Sequence, residues 1–292
     1  MYTFRNINYV YKGDNMKKFN IASCQMTVVD DKETNVEHAT KLINEASKNV
    51  DLITLPEMFN TPYDNNKFIE NAEKEKNSYT LRTMCETANE NNIYLQTGSI
   101  PELENDKIYN SAYLIDDNGK IIGKHRKMHM FDIDTDTMKF TESDTLSPGN
   151  KITTIKTPFA NISIAICYDI RFTEMWTLMN KNNTDVILLP GAFNKTTGPL
   201  HWETLIRARA IDNQLYVIAT SPSQVENPYY VAWGHSMIVD PWGKILTQAH
   251  EKEEILYSTI TPESISAVRE QIPILKNKRE DIYETILKKE LN

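Results

Sequence analysis

A chain of 292 residues with 40% hydrophobic content can bury a sizeable core in one large domain or two small ones, which excludes a disordered segment or a small stapled fold. Its net charge of -8, from 32 basic and 40 acidic residues, excludes a general electrostatic attraction to nucleic acid or anionic membrane. Apolar runs such as Val186 to Leu189 fall far short of the ~20 residues that a membrane helix requires.

The first fifteen residues stand apart. Met1 to Asn15 carries tyrosines, asparagines and scattered charge without the apolar stretch of a secretory signal. An organellar presequence is the rival reading, but Arg5 is its only arginine and Asp14 lies near its end. Met16-Lys17-Lys18-Phe19 then runs into the first predicted strand, so residues 1–15 read as an extension and residues 16–292 as one domain with a C-terminal tail.

From Phe19 to Met26 the pattern alternates as a strand does, and Val36, Ala39, Leu42, Ile43 and Ala46 then recur at helical spacing after the polar pair Asp30-Asp31. The alternation repeats: Leu52 to Leu55 is a short buried strand, Leu81, Met84, Cys85 and Ala88 mark a helix face, and Ile93 to Gly98 is the next strand. Ser111 to Asp116 and Lys120 to Lys124 flank Asp117-Asn118-Gly119, whose Asn-Gly pair is a strong hairpin signal. Further strands are predicted at Ile152 to Thr157, Ile162 to Ile166, Val186 to Leu189 and Tyr216 to Thr220, with helices starting near Thr173 and Leu200. A second hairpin, Ser236 to Asp240 with Lys244 to Thr247, turns at Pro241-Trp242-Gly243. Mixed strands with helices between them predict an α/β fold of mixed sheets covered by helices, two of the sheets facing one another.

Three residues carry the candidate chemistry. Glu57, in Leu55-Pro56-Glu57-Met58-Phe59, Lys127, in His125-Arg126-Lys127-Met128-His129, and Cys167, in Ile166-Cys167-Tyr168-Asp169, each follow a predicted strand. Taken singly they read as a structural ion pair, a solvated surface charge and a buried core cysteine. Together they supply a base, a cation and a nucleophile, the turn leaving the thiol facing outward with free backbone N–H groups beside it for an oxyanion. Cys24, Cys85 and Cys167 cannot all pair and none has metal-ligand spacing, so a reduced compartment, the cytoplasm, is expected.

Glu57, Lys127 and Cys167, in that order and in those contexts, resemble the catalytic triad of the nitrilase superfamily of carbon-nitrogen hydrolases, and the likeness runs from about Lys17 to about Tyr283. Within it, Phe131 to Asp134, Leu189 to Pro199, Ala232 to Ser236 and Gln271 to Pro273 resemble the omega-amidase branch, which hydrolyses the terminal amide of alpha-ketoglutaramate and alpha-ketosuccinamate. The resemblance implies a single-domain, four-layer alpha-beta-beta-alpha sandwich that forms homodimers.

On this reading Cys167 attacks the amide and passes through a thioester, with its thiolate favoured by the nearby ammonium of Lys127. Lys127 and the backbone N–H of Tyr168 hold the oxyanion, and Glu57 serves as base and then acid. The resemblance makes Glu142 a second glutamate that positions the lysine, and Arg171 a clamp for the distal carboxylate of the substrate. Phe193 and Thr197 line the same pocket, with Tyr63 and Phe131 as its walls.

This chemistry needs no metal or cofactor. His129, His201 and His235 lack metal-ligand spacing and read as scaffold, and no Gly-rich phosphate loop is present. The expected partner is a small keto-acid amide. The rivals are another amidase or carbamoylase of the superfamily, such as one acting on deaminated glutathione, and a non-catalytic binding scaffold.

Overall fold

The computed structural model describes residues 16–135 and 138–288. The predicted extension at 1–15 lies outside these. The chain opens with β1 (Phe19–Gln25) and α1 (Lys32–Ala46), then β2 (Leu52–Thr54), α2 (Asn65–Asn71) and α3 (Tyr79–Asn91). An antiparallel run follows: β3 (Tyr94–Gln96), β4 (Ile100–Glu104), β5 (Lys107–Ile115) and β6 (Ile121–Arg126). A short ribbon of β7 (Asp132–Asp134) and β8 (Lys139–Thr141) leads to β9 (Thr154–Lys156) and β10 (Asn161–Ile164). The remainder comprises α4 (Thr173–Lys181), β11 (Val186–Pro190), α5 (Gly198–Asn213), β12 (Tyr216–Thr220), β13 (Met237–Val239), β14 (Ile245–Gln248), β15 (Glu254–Ile260) and α6 (Pro262–Gln271).

Among the described residues the strands form two large sheets. One is ordered β15-β1-β2-β3-β5-β4, with β6 on the other side of β5, and the other is ordered β14-β13-β12-β11-β10-β9. Side-chain alternation shows what each face covers. Ile21, Leu52, Ala112 and Leu114 cluster with Ile162, Val186 and Ile218 of the second sheet, whereas their neighbours Ala22, Ile53, Tyr113 and Ile115 cluster with α1 and α3. Trp176 and Met179 of α4, with Ile206 and Ala210 of α5, close the second sheet from its other side. The layers are therefore helix, sheet, sheet, helix, as expected. Between the sheets, Thr220 Oγ1 lies 2.7 Å from the hydroxyls of both Ser23 and Thr54, a buried polar tie that fixes their relative position.

Local chemistry explains the element ends. Asp31 caps α1 by accepting from the Thr34 N–H at 2.7 Å, Ser78 caps α3 by accepting from the Leu81 N–H at 2.9 Å, and Asn92 closes α3 in the left-handed conformation. The predicted Asn-Gly hairpin is present, and β5 begins earlier than expected, at Lys107. β15 was not predicted; it pairs antiparallel with β1 along the whole of that strand, Phe19 facing Ile260 and Gln25 facing Glu254. No described helix is long and apolar enough to cross a membrane.

Candidate active site

The candidate residues sit where strands end. Glu57 lies in the turn just past β2, Lys127 directly follows β6, Glu142 directly follows β8, and Cys167 opens a single 3-10 turn, Cys167–Arg171, shortly past β10. A sheet interior fixes each strand, and the residues beyond it are free to aim inward. Gly98 shows how tight the support is: its φ of +63° suits glycine, and a Cβ there would stand 2.0 Å from the Pro56 carbonyl, directly before Glu57.

Lys127 is fully buried and makes three hydrogen bonds. Its ammonium donates to Glu57 Oε1 at 3.0 Å, to the Tyr63 hydroxyl at 3.0 Å and to Glu142 Oε1 at 2.9 Å. Glu142 also accepts from the Phe131 N–H at 2.6 Å and from the Tyr63 hydroxyl at 2.8 Å. Glu57 accepts from the Asn110 side chain at 2.9 Å and, through Oε2, from the Ala192 N–H at 2.8 Å. The Cys167 thiol completes the cluster, close enough to Glu57 for that carboxylate to raise its proton affinity. The structure thus brings together Glu57, Lys127, Glu142, Cys167 and Tyr63 from four segments, Glu57 and Tyr63 sharing the one between β2 and α2. Tyr63 differs from its expected role: its hydroxyl belongs to the charge cluster, while its ring packs on Tyr230 at 4.9 Å.

Two expectations for the thiol are corrected. Cys167 does not face outward; it is only 3% exposed, because loops bearing Phe131, Ala192, Phe193 and Tyr230 fold over it. Nor does its setting favour the thiolate. Burial and the adjacent Glu57 push the thiol well above its ordinary range, and Lys127 offsets only part of this. Burial likewise raises Glu57, opposed by Lys127 and reinforced by Glu142. Burial alone would lower the Lys127 ammonium, but Glu142 and Glu57 outweigh it and hold the lysine above its usual value. The arrangement therefore combines a permanent cation, a neutral thiol and a carboxylate of raised basicity in contact. Such a set can transfer the thiol proton to Glu57 as the sulfur attacks.

Beyond the thiol lies a narrow cleft, too tight for a water in this closed arrangement, lined by Phe131, Cys167, Tyr168, Arg171, Ala192, Phe193, Thr197 and Tyr230. The predicted pocket residues other than Tyr63 are all there. The Arg171 guanidinium lies 5.5 Å from the Tyr168 ring and 5.1 Å from the Phe193 ring, and donates to His201 Nδ1 at 3.2 Å. Among the described residues no carboxylate lies within ion-pair distance of it. A pairing with Asp169 is thereby ruled out. Thr197 lines the pocket while its hydroxyl donates to Asn194 Oδ1 at 3.0 Å.

A cavity of about 320 Å³ adjoins the cluster, touching Glu57 and Tyr63 and walled mainly by residues 28–30 and 222–230. Ala192 and Tyr230 border both spaces, and the Tyr230 hydroxyl donates to the Ala192 carbonyl at 2.5 Å.

Three residues of this region were missed in the sequence. Asn110, fully buried in β5, orients Glu57 through its side chain and accepts the Lys127 N–H at 2.9 Å through its carbonyl. An asparagine within a strand was the available signal. Asp169 accepts from the backbone N–H groups of Ile166, Met128 and His129 at 3.0, 3.2 and 3.1 Å, binding the cysteine turn to the lysine segment. Burial opposes its charge, but His125, His129 and these amides hold its carboxyl well below the usual range. His129, read as scaffold, is indeed held by Asp169 at 2.7 Å and stacks on Phe172. Tyr230, the third, carried no local signal.

A family model for carbon-nitrogen hydrolases matches residues 20–270 of the chain. The chain is 45% identical over 276 residues to omega-amidase NIT2 of Mus musculus and 42% identical to that of Homo sapiens, covering 94% of this chain and 100% of each relative. Among solved structures, Saccharomyces cerevisiae Nit3, described as a member of branch 10 of the nitrilase superfamily, superposes with a TM-score of 0.84 at 39% identity, covering 90% of this chain and 97% of that one.

Proposed function

The chain belongs to the carbon-nitrogen hydrolase family of the nitrilase superfamily, and from that premise we propose that it is an omega-amidase, hydrolysing the terminal amide of alpha-ketoglutaramate and alpha-ketosuccinamate to ammonia and the keto dicarboxylate. The observation that carries this reading is Arg171: a guanidinium with no carboxylate partner among the described residues, beside the Tyr168 and Phe193 rings in the pocket that contains the candidate nucleophile. The half-buried guanidinium has donors to spare for an anion in this pocket, and a distal carboxylate is what a keto-dicarboxylate amide offers.

In this reading the Cys167 sulfur attacks the amide carbon as its proton passes to Glu57. Lys127 and the Tyr168 N–H stabilise the oxyanion, each donor contributing roughly 3 to 4 kcal/mol. Glu57 returns the proton to the departing nitrogen as the C–N bond breaks, which leaves a thioester. Water, deprotonated by Glu57, then releases the acid and restores the thiol. Glu142 and Tyr63 keep the lysine aimed at this site, and Phe193, Thr197 and Phe131 shape the acyl pocket.

We further propose that residues from 16 onward form one hydrolase domain acting as a homodimer in the cytoplasm. Exposed Ile282, Tyr283, Ile286 and Leu287 beyond α6 supply apolar surface for a second copy, and the three cysteines are unpaired thiols. The purified protein assayed on alpha-ketoglutaramate, glutamine and deaminated glutathione tests the reading by release of keto acid or glutamate. Preferred turnover of alpha-ketoglutaramate is expected. Preference for deaminated glutathione would reassign the chain within the superfamily, and inertness toward all three would leave a binding scaffold.

A further inference from the structure

Arg171 shares its turn with the nucleophile, and α5 holds that turn at two points. Near the end of the helix, the buried Arg209 donates from Nε to the Ile170 carbonyl at 2.8 Å, which fixes the backbone directly before Arg171. In the first turn of the helix, His201 Nδ1 lies 3.2 Å from Arg171 Nη2. That first turn is itself well anchored. Asn194 Oδ1 accepts from the N–H groups of Thr196 and Thr197 at 3.0 and 2.8 Å, and the His201 N–H donates to the Thr197 carbonyl at 2.8 Å. The neighbouring Trp202 is buried, with its indole N–H donating to the His235 carbonyl at 2.7 Å. His201 therefore meets the guanidinium from a fixed place.

An arginine does not give up its proton, so Nδ1 is the acceptor in this bond and the imidazole is neutral, with its own proton on Nε2. The kind of acceptor matters. A carboxylate here would orient the guanidinium equally well, but it would also neutralise the charge and compete with an anionic substrate. A neutral nitrogen fixes one edge of the fork and leaves the charge and the remaining N–H groups to a ligand. Resting on the omega-amidase reading, we propose that His201 is a positioning residue for substrate selection, aiming Arg171 at the cleft beside Cys167 without cancelling its charge. Among the described residues His201 is not one of those lining the cleft, so its influence passes through Arg171.

Steady-state kinetics on alpha-ketoglutaramate and on its uncharged methyl ester test this with substitutions at an exposed position. His201→Leu removes the acceptor and should raise KM for alpha-ketoglutaramate by about 3- to 10-fold, with kcat within about 2-fold of wild type. His201→Asn, whose side-chain oxygen falls near the place of Nδ1, should bring KM back to within about 2-fold. His201→Glu gives Arg171 an ion-pair partner and should raise KM by about 10-fold or more. None of the three should change kcat/KM for the ester by more than about 2-fold, and in an Arg171→Met background their effects should vanish. Losses shared by the ester, or persisting without Arg171, would overturn the proposal and make His201 a support of the helix. An unchanged KM in His201→Leu, or a His201→Glu enzyme as effective as His201→Asn, would overturn it as well and leave the omega-amidase reading standing. Failure of wild type to prefer alpha-ketoglutaramate over the ester would instead sink that reading, and the proposal with it.

Discussion

Arg126 and Lys127 are neighbours in sequence and belong to two charge clusters of opposite character. On one side, Glu102 receives Lys124 at 2.7 Å and both Arg126 Nε and Nη2, at 2.8 and 2.7 Å, while the two cations reach solvent. Burial works against the charge of Glu102, yet the paired cations and Ser111 overcome it and hold the carboxyl at about 2. On the other side, a single cation, Lys127, is shared by Glu57 and Glu142 with no solvent at all, and Glu57 rises. Two cations converge on Glu102, whereas Glu57 shares one with Glu142. That difference and the access of water separate a carboxyl held low from one that is raised.

Substitutions should widen this contrast in a definite order. Cys167→Ala removes the group that gives the second cluster its chemistry; turnover should fall by about four orders of magnitude or more, with folding retained and no acyl-enzyme seen by intact mass after acid quench. Lys127→Gln should lower kcat by roughly 100-fold or more, since it removes an oxyanion donor. It should also cost about 3 to 5 kcal/mol in urea unfolding, because two buried carboxylates lose their cation. The matching change in the first cluster, Lys124→Gln, should cost no more than about 1 kcal/mol and leave kcat unchanged. Similar stability losses in the two variants would dissolve the comparison.

Smaller effects sharpen it. Arg171→Met should reduce kcat/KM on alpha-ketoglutaramate by roughly 10- to 100-fold, the loss of a charge-assisted hydrogen bond of about 1.5 to 3 kcal/mol, while barely affecting a neutral amide of equal length. Equal losses on both substrates would give Arg171 a structural role. The smallest effect concerns pH. Glu57 must be ionised to take the thiol proton, so kcat/KM should fall as pH drops through its raised value, above the ordinary carboxylate range. Asn110 donates to that carboxylate and favours its ionised form. Asn110→Leu should therefore move the acid limb to still higher pH; a lower kcat with an unmoved limb would mean that Asn110 only supports the strand.

Much of this was legible in the chain itself. Glu57, Lys127 and Cys167 each have an ordinary structural reading alone and announce themselves only together, in order and each after a strand, and Arg171 lies within the same turn as the cysteine. Period-two and helical spacing placed most strands and helices for the same reason: the pattern is local. What stayed hidden depends on distance. β15 joins β1 across more than two hundred residues, so no local pattern marks their register. Burial of the thiol depends on Phe131, Phe193 and Tyr230 arriving from separate loops, and its raised proton affinity follows from that burial. Asp169 reads as one more turn residue until the backbone amides of the lysine segment are seen to converge on it.

Cys167 adopts a φ of +45°, a conformation that ordinary L-residues reach at a cost of about 1 to 2 kcal/mol and glycine reaches freely. The substitution that would relax this backbone most also deletes the sulfur. Selection for a more stable chain and selection for a reactive one therefore pull apart at this one position. Cys167→Gly is therefore expected to unfold at higher urea than wild type while losing all turnover.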